Sequence, residues 1–213
     1  VNMALQGSLL DQVDEVGLRP LAGAIRRIPL TRGAWLDLRP GWLTGADELF
    51  GRLTLGGSAG VDWQGERRQM YDREVDTPRL LRFYHQHETL PDPVLAQARS
   101  ALSAHYRNEL GEPFTTAGMC LYRDGRDSVA WHGDRIGRSS TQDTMIAIVS
   151  IGQPRTFAMR PLGGGASIRH TLGHGDLIVM GGSAQRTWEH SIPKTGKPVG
   201  PRISIQFRPY DVR

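Results

Sequence analysis

With 213 residues, 38% of them hydrophobic, the chain has material for one well-buried core and not for several independent domains. No run approaches the roughly 18 apolar residues of a membrane span, and the acidic start "VNMALQGSLLDQVDEVG" lacks the pattern of a secretory leader, which predicts a cytoplasmic protein with no membrane partner. Cys120 is the sole cysteine, which excludes an internal disulfide and a thiolate cluster and leaves His and carboxylate to hold any metal; the net charge of +4, with 24 Arg against 2 Lys, suits an anionic partner or reflects a codon bias toward arginine.

Residues 1–33 show no sustained periodicity and read as a loosely held arm, partly disordered at its start. Residues 34–91 are expected to hold a short helix and surface hairpins. In "LTGADELFGRLTL", Thr44 is positioned to cap the helix, with Asp47 at the third helical position and Ala46, Leu49, Phe50 and Leu53 on one face. From Val61 to His87, aromatics, arginines and acids mix without a core pattern, which predicts exposed hairpins. Residues 92–213 begin with a better specified helix: Asp92 as cap, Pro93 in the first turn, Val94, Leu95, Ala98, Leu102 and Tyr106 at helical spacing, and Gly111 as the stop. The runs "TMIAIVSIG", "RTFAMR", "ASIRHTL", "DLIVMGG", "WEHSI" and "RISIQF" then follow, strand-like and separated by Gly or Pro turns, with "PLGGGAS" the clearest hairpin loop. The fold expected is α+β and mainly β, a barrel or double-sheet sandwich packed on the earlier helices as a single catalytic domain.

The chemistry concentrates in "WHGD", "TWEH" and "PRISIQFR". In a strand, residues two apart share a face, so His132 and Asp134 aim at one point and a later strand brings His190. Two His and one carboxylate on one face of an octahedron leave positions open, the arrangement of non-haem Fe(II) oxygenases; alone, each short motif reads as a surface His beside a solvated acid. In "RISIQFR", alternation puts Arg202, Ser204, Gln206 and Arg208 on one face and Ile203, Ile205 and Phe207 on the other. The two arginines, about 20 Å apart along the strand, suit the two ends of a small dicarboxylate if they lean inward, and a solvated strand face otherwise.

These residues resemble the AlkB-type Fe(II)- and 2-oxoglutarate-dependent dioxygenases, which repair alkylated nucleobases. The resemblance runs from about Pro78 to Pro209. "CLYRDGRDSVAWHGD" is similar to the family's N-x-Y segment leading into H-x-D, "HGDLIVMGG…TWEHSIP" to its run ending in the distal His, and "PRISIQFR" to its R-x-N-x-T-F-R. It implies a double-stranded β-helix (jelly-roll) core with an N-terminal nucleotide-recognition lid, Fe(II) held by His132, Asp134 and His190, and 2-oxoglutarate and O2 as cosubstrates. It further implies that Arg202 pairs with the distal carboxylate of 2-oxoglutarate, that Arg208 stands near the metal-proximal end and that Tyr122 hydrogen-bonds the cosubstrate; Ile146 belongs with this set. Cys120 and Ser204 stand where the family has Asn, and since a thiol is a poorer donor than an amide, weaker cosubstrate binding or a water-filled gap is expected.

The reaction implied is oxidative dealkylation of N-methyl or etheno adducts in DNA, single-stranded or with the base flipped out, giving succinate, CO2 and formaldehyde or the corresponding aldehyde. "TPRLLRFYHQHE" resembles the family's lid, making Pro78, Arg79 and Tyr84 lid candidates, with Tyr84, His85 or His87 either stacking on the base or packing the hairpin. Arg67, Arg68, Arg73 and Arg79 are candidates for phosphate contact or plain solvation. Trp131 is grouped with the substrate residues, although it and Trp188 read first as packing that stiffens the ligand strands. Relatives carry an acid four residues after the first iron-binding His, near the exocyclic amino group of the flipped base; here that residue is Ile136. The protein is expected to be monomeric. Turnover of RNA, tRNA or protein, or a metal-holding barrel that binds nucleic acid without turnover, are the alternatives.

Overall fold

The computed structural model describes residues 15–55, 60–70 and 73–212, with the side chains of 66–76 outside the description. In chain order the elements are β1 (Gly17–Leu18), β2 (Arg26–Pro29), β3 (Ala34–Arg39), β4 (Leu43–Thr44), α1 (Ala46–Thr54), β5 (Gln64–Met70), β6 (Arg73–Tyr84), α2 (Pro93–His105), α3 (Arg107–Leu110), β7 (Thr116–Tyr122) and β8 (Val129–His132). After these come β9 (Ile146–Gly152), β10 (Arg155–Pro161), β11 (Ile168–Leu172), β12 (Asp176–Gly182), α4 (Ala184–Thr187), β13 (Trp188–Ile192) and β14 (Arg202–Arg208). The strand-like runs after Gly111 thus became β9 to β14, and "PLGGGAS" joins β10 to β11.

Among the described residues, eight strands form a large antiparallel sheet in the order β2-β3-β12-β9-β14-β7-β6-β5, and four form a smaller one, β11-β10-β13-β8. The period of two in the strands decides the layers. Ile146, Ile148, Ile178 and Met180 join Phe157, Met159, Trp188 and Ile192 in a core between the sheets. Ala147, Val149, Ile151, Ile203, Ile205 and Phe207 face the other way, onto Leu49 and Leu53 of α1 and Val94, Leu95, Ala98 and Leu102 of α2. This is the expected jelly roll backed by helices. At about 25 cal/mol per Å² of apolar surface, the continuous burial on both faces of the large sheet is the dominant stabilising term.

The two helix starts differ. Asp92 caps α2, its Oδ1 accepting from the Val94 N–H at 3.0 Å. Thr44 does not cap α1: Gly45 occupies the cap position in the left-handed region with no side-chain cap, and Thr44 Oγ1 donates to the Glu15 carbonyl at 2.8 Å. Gly45 relieves the need for a polar cap by turning the backbone where only glycine does so freely. The expected long second helix breaks at Tyr106 into α2 and the one-turn α3, which Gly111 ends. At the break the Tyr106 hydroxyl donates to buried Asp37 at 2.9 Å, and Asp37 also pairs with Arg27 at 2.8 Å.

One expectation about the first third needs correction. The arm up to Gly33 is structured from residue 17 on, because β2 pairs with β3 and β1 with β4; residues 1–14 lie outside the described residues. The expected hairpin is present as β5 and β6, and Leu80–Tyr84 pair with Ala117–Leu121 of β7, so that it extends the large sheet. Arg67, Arg68 and Arg73 have side chains outside the description.

Candidate metal centre and its anion pocket

His132 ends β8, His190 lies in β13, and the two are direct cross-strand partners. Asp134 completes the group: one ligand atom from each of the three lies within 4.8 Å of the others. His132 Nε2 is 3.6 Å from Asp134 Oδ1, and the two imidazole centroids are 4.2 Å apart. His132 Nδ1 lies 2.9 Å from the Ala130 carbonyl, which only accepts, so Nδ1 carries the proton and Nε2 offers its lone pair to the centre. Phe157 stacks on His190 with centroids 5.6 Å apart and walls the inner side.

Alternation along a strand is not what aims Asp134, because β8 stops at His132. Two other contacts hold it. Its backbone N–H donates to Gln185 Oε1 at 3.1 Å, and its carboxylate Oδ2 accepts from Arg208 Nε at 2.9 Å and Nη2 at 2.7 Å. Burial pushes the Asp134 carboxyl up, but Arg208 and the two imidazoles outweigh it and hold the group at about 2. Burial, then the neighbouring His132, depresses His190 to about 3. At neutral pH the centre therefore offers an ionised carboxylate and a neutral His190, the protonation states a metal requires. Two imidazoles and one carboxylate with no thiolate suit a ferrous ion better than a soft metal.

Gly133 is required by close packing. A Cβ there would lie 2.8 Å from the Gln185 carbonyl oxygen and 3.3 Å from that of Trp188, both backbone atoms. Gly133→Ala is expected to cost about 1–3 kcal/mol through overpacking and, by displacing Asp134, to weaken metal binding. Thermal melts with and without Mn(II) check this, and a variant with the wild-type metal-induced shift would show that Asp134 is not held by this contact.

The polar face of β14 lines the space beside the centre. Arg202 is fully buried; its Nε donates to Ser150 Oγ at 2.8 Å, while Nη1 and Nη2 have no hydrogen-bond partner. Burial drives its pKa down. Arg202 faces Tyr122 across the β14–β7 ladder, with the guanidinium carbon 5.2 Å from the ring centroid. Burial and then Cys120 push the Tyr122 phenol up to about 12, so it stays a protonated donor. Next along the ladder, Gln206 Nε2 reaches Ser204 Oγ at 2.5 Å and Cys120 Sγ at 3.4 Å. One amide thus bridges the two positions expected to be poor donors, and Gly118 opposite leaves room for it: a Cβ there would stand 3.0 Å from Gln206 Oε1. A buried guanidinium with two free N–H edges, a phenol donor and a short polar ladder fit one end of a dianionic cosubstrate. The two arginines do not clamp that molecule symmetrically, because Arg208 is committed to Asp134.

The other expected residues divide. Ile146 is fully buried in the core that also holds Cys120 and Tyr122. Ile136, two residues past Asp134, is 70% exposed at the rim. His85 is exposed, edge-on to Phe83 at 4.9 Å, and His87 is exposed in the same turn. Tyr84 is not a stacking surface: it is 6% exposed within the helix-side core, where its register opposite Ala117 turns it. Arg79 is not directed to solvent, since its Nη1 donates to the Ser128 carbonyl at 3.0 Å. Trp131 lies under the Arg160 guanidinium, 4.4 Å from its ring, and so braces β8 instead of presenting that face to a base. Gln185 and Ser150 are site residues that the sequence reading misses, although Ser150 is the single polar residue inside "IAIVSI"; Gln206 falls on the polar face that the alternation of "RISIQFR" already marks.

Comparison with known proteins agrees with this geometry. A model of the 2OG-Fe(II) oxygenase superfamily matches residues 55–208. Alpha-ketoglutarate-dependent dioxygenase alkB homolog 3 of Rattus norvegicus is 30% identical over 92% of this chain and 68% of its own length. DNA oxidative demethylase ALKBH2 of Homo sapiens is 32% identical over 54% of this chain and 46% of its own length, so the chain spans less than half of that relative. Among solved structures, a prolyl hydroxylase from Trichoplax adhaerens has a TM-score of 0.60 at 10% identity, covering 85% of this chain and 84% of that one, which is a likeness of fold.

Proposed function

The chain belongs to the 2OG-Fe(II) oxygenase superfamily and to its AlkB-type dioxygenases, and we propose that it removes alkyl groups oxidatively from damaged nucleobases in DNA. The observation that carries the reading is the His132–Asp134–His190 cluster, two of its members buried, beside Arg202, whose two free guanidinium nitrogens lie in the interior. The similarity to a protein named as a DNA oxidative demethylase supports nucleic acid as the substrate, and the excess of arginine suits a phosphate backbone.

When bound, Fe(II) with 2-oxoglutarate and O2 supplies the oxidising equivalent, the keto acid leaving as succinate and CO2. The chain's own groups do the positioning. His132 Nε2, His190 and the Asp134 carboxylate would hold the ion, and Arg208 fixes the direction of that carboxylate. Arg202 would pair with the distal carboxylate through its two free nitrogens, and the Tyr122 hydroxyl would donate a hydrogen bond to the same molecule. Phe157, Ile146 and Met159 keep water from the inner side. A hydroxylated N-alkyl carbon then collapses to aldehyde and free base.

The test is mass spectrometry of methylated and etheno-bridged DNA and RNA oligonucleotides after incubation with Fe(II) and 2-oxoglutarate. Loss of the alkyl mass from DNA supports the reading; loss from RNA alone moves the substrate to RNA, and succinate with no change in any oligonucleotide contradicts it. Ile136 gives a finer expectation. N1-methyladenine keeps an exocyclic N–H that donates to an acid, whereas an etheno ring has none, so an apolar rim disfavours only the first. Ile136→Glu is expected to lower the ratio of kcat/KM for ethenoadenine over N1-methyladenine by up to about 1–3 kcal/mol in equivalent free energy. An unchanged ratio would show that Ile136 does not meet the base.

A further inference from the structure

Arg155 is a buried guanidinium outside the ligand set that bonds the segments flanking both ligand strands. It opens β10 and is 3% exposed. Its Nη1 donates to the Asp124 carbonyl at 3.0 Å, and its Nη2 to the carbonyls of Asp127 at 2.8 Å and Pro193 at 2.9 Å. Asp124 and Asp127 belong to the connection that leads from β7 into β8 and His132. Pro193 follows the end of β13, three residues beyond His190. One side chain therefore joins the entry of one ligand strand to the exit of the other.

Between this junction and the centre, the pairing of β8 with β13 is irregular. His190 faces His132, yet Ile192 faces Val129, so β8 carries one extra residue over that interval. A bulge leaves the ladder locally open and the strand free to bend. Ala130, whose carbonyl receives the His132 Nδ1–H, lies within it. The ladder thus fixes the backbones at the His132–His190 pair itself, and leaves the course of β8 beside it, with the spacing and tilt of the two imidazoles, to other contacts. β10 pairs with β13 only from Ala158 to Pro161, so its first residue reaches β8's entry through the Arg155 side chain. At the far end of β10, Arg160 covers Trp131 and bonds Glu189 at 3.1 Å, the residues just before His132 and His190. The strand grips the ligand pair at both ends.

We propose that Arg155 is a positioning residue for the metal: its guanidinium, by binding carbonyls on both sides of the bulged pair, sets the separation of His132 and His190. The proposal rests on the reading of the cluster as a metal centre. A planar fork addresses three carbonyls in two segments at once, which an ammonium on a flexible stem does not.

The test is direct titration of the purified metal-free protein with Mn(II), followed by the electron paramagnetic resonance of the free ion, without 2-oxoglutarate and well below each variant's melting temperature. Arg155→Met is expected to raise the Mn(II) Kd about 10- to 100-fold, as loss of a group that orients metal ligands does, and Arg155→Lys less. Tyr106→Phe serves as the stability control, since it removes a buried hydrogen bond to Asp37 on the helix-covered face and leaves the ligand strands alone; its Kd should equal that of wild type. Wild-type affinity in both Arg155 variants would overturn the proposal. So would an equal loss of affinity in Tyr106→Phe, which would make the effect one of general stability. If Arg155→Met does not fold, Arg155→Lys decides by the same measurement. Wild-type protein that takes up no Mn(II) would instead overturn the metal-centre reading, and this inference with it.

Discussion

His190→Ala is expected to abolish turnover and metal binding while leaving a folded jelly roll. The imidazole lies against His132 on one side and Phe157 on the other, so removing it takes one of three ligands and opens a cavity in the core between the sheets. The cavity costs about 2–4 kcal/mol by analogy with buried truncations, which the extensive core tolerates. The remaining pair, His132 and Asp134, has no third ligand atom within reach among the described residues. Wild-type protein should therefore gain thermal stability on addition of Mn(II), about 2.7 kcal/mol at a hundred times Kd, and the variant should gain none. Activity retained by the variant would remove His190 from the centre.

Arg202 variants should separate stability from function. The wild-type guanidinium is wholly buried with two nitrogens unsatisfied, so in the absence of ligand it is a cost to the fold. Arg202→Met removes that cost and forfeits the bond to Ser150, about 1 kcal/mol. The melting temperature without ligand should stay level or rise, whereas the stabilisation by 2-oxoglutarate should vanish. Arg202→Lys keeps a charge but loses the fork, and should raise the 2-oxoglutarate requirement by about 1–3 kcal/mol, roughly 5- to 150-fold. An unchanged requirement in Arg202→Lys, or a steep fall in ligand-free stability in Arg202→Met, would mean that Arg202 is a structural residue.

Much of this architecture is legible along the chain because it depends on local period. "RISIQFR" alternates without a break, and the layering of β14 between helices and site follows from it directly. The ligand triplet is legible because its flanking residues are as specific as its spacing. What holds the ligands is not legible. Gln185 reaches Asp134 across 51 positions from a one-turn helix whose sequence, "AQRT", carries no signal. Arg155 reads as one of many arginines until the strands assemble around it. Tyr84 shows the same limit from the other side: an aromatic beside two histidines suggests a stacking surface, but the register of β6 on β7 decides which way it faces, and that pairing is set by residues more than thirty positions away. The early strand "RRIP" has no period to read, since it is an edge strand whose partner, β3, supplies the order.

The most direct test is a stoichiometric one. A single N1-methyladenine oligonucleotide is incubated with the protein, Fe(II), limiting 2-oxoglutarate and air, and succinate, formaldehyde and repaired base are counted in the same sample. Equal amounts of all three, with none in the His190→Ala variant, is the result expected of a centre built from His132, Asp134 and His190 beside Arg202. Succinate without formaldehyde or repaired base, or base repair that persists without 2-oxoglutarate, would contradict it.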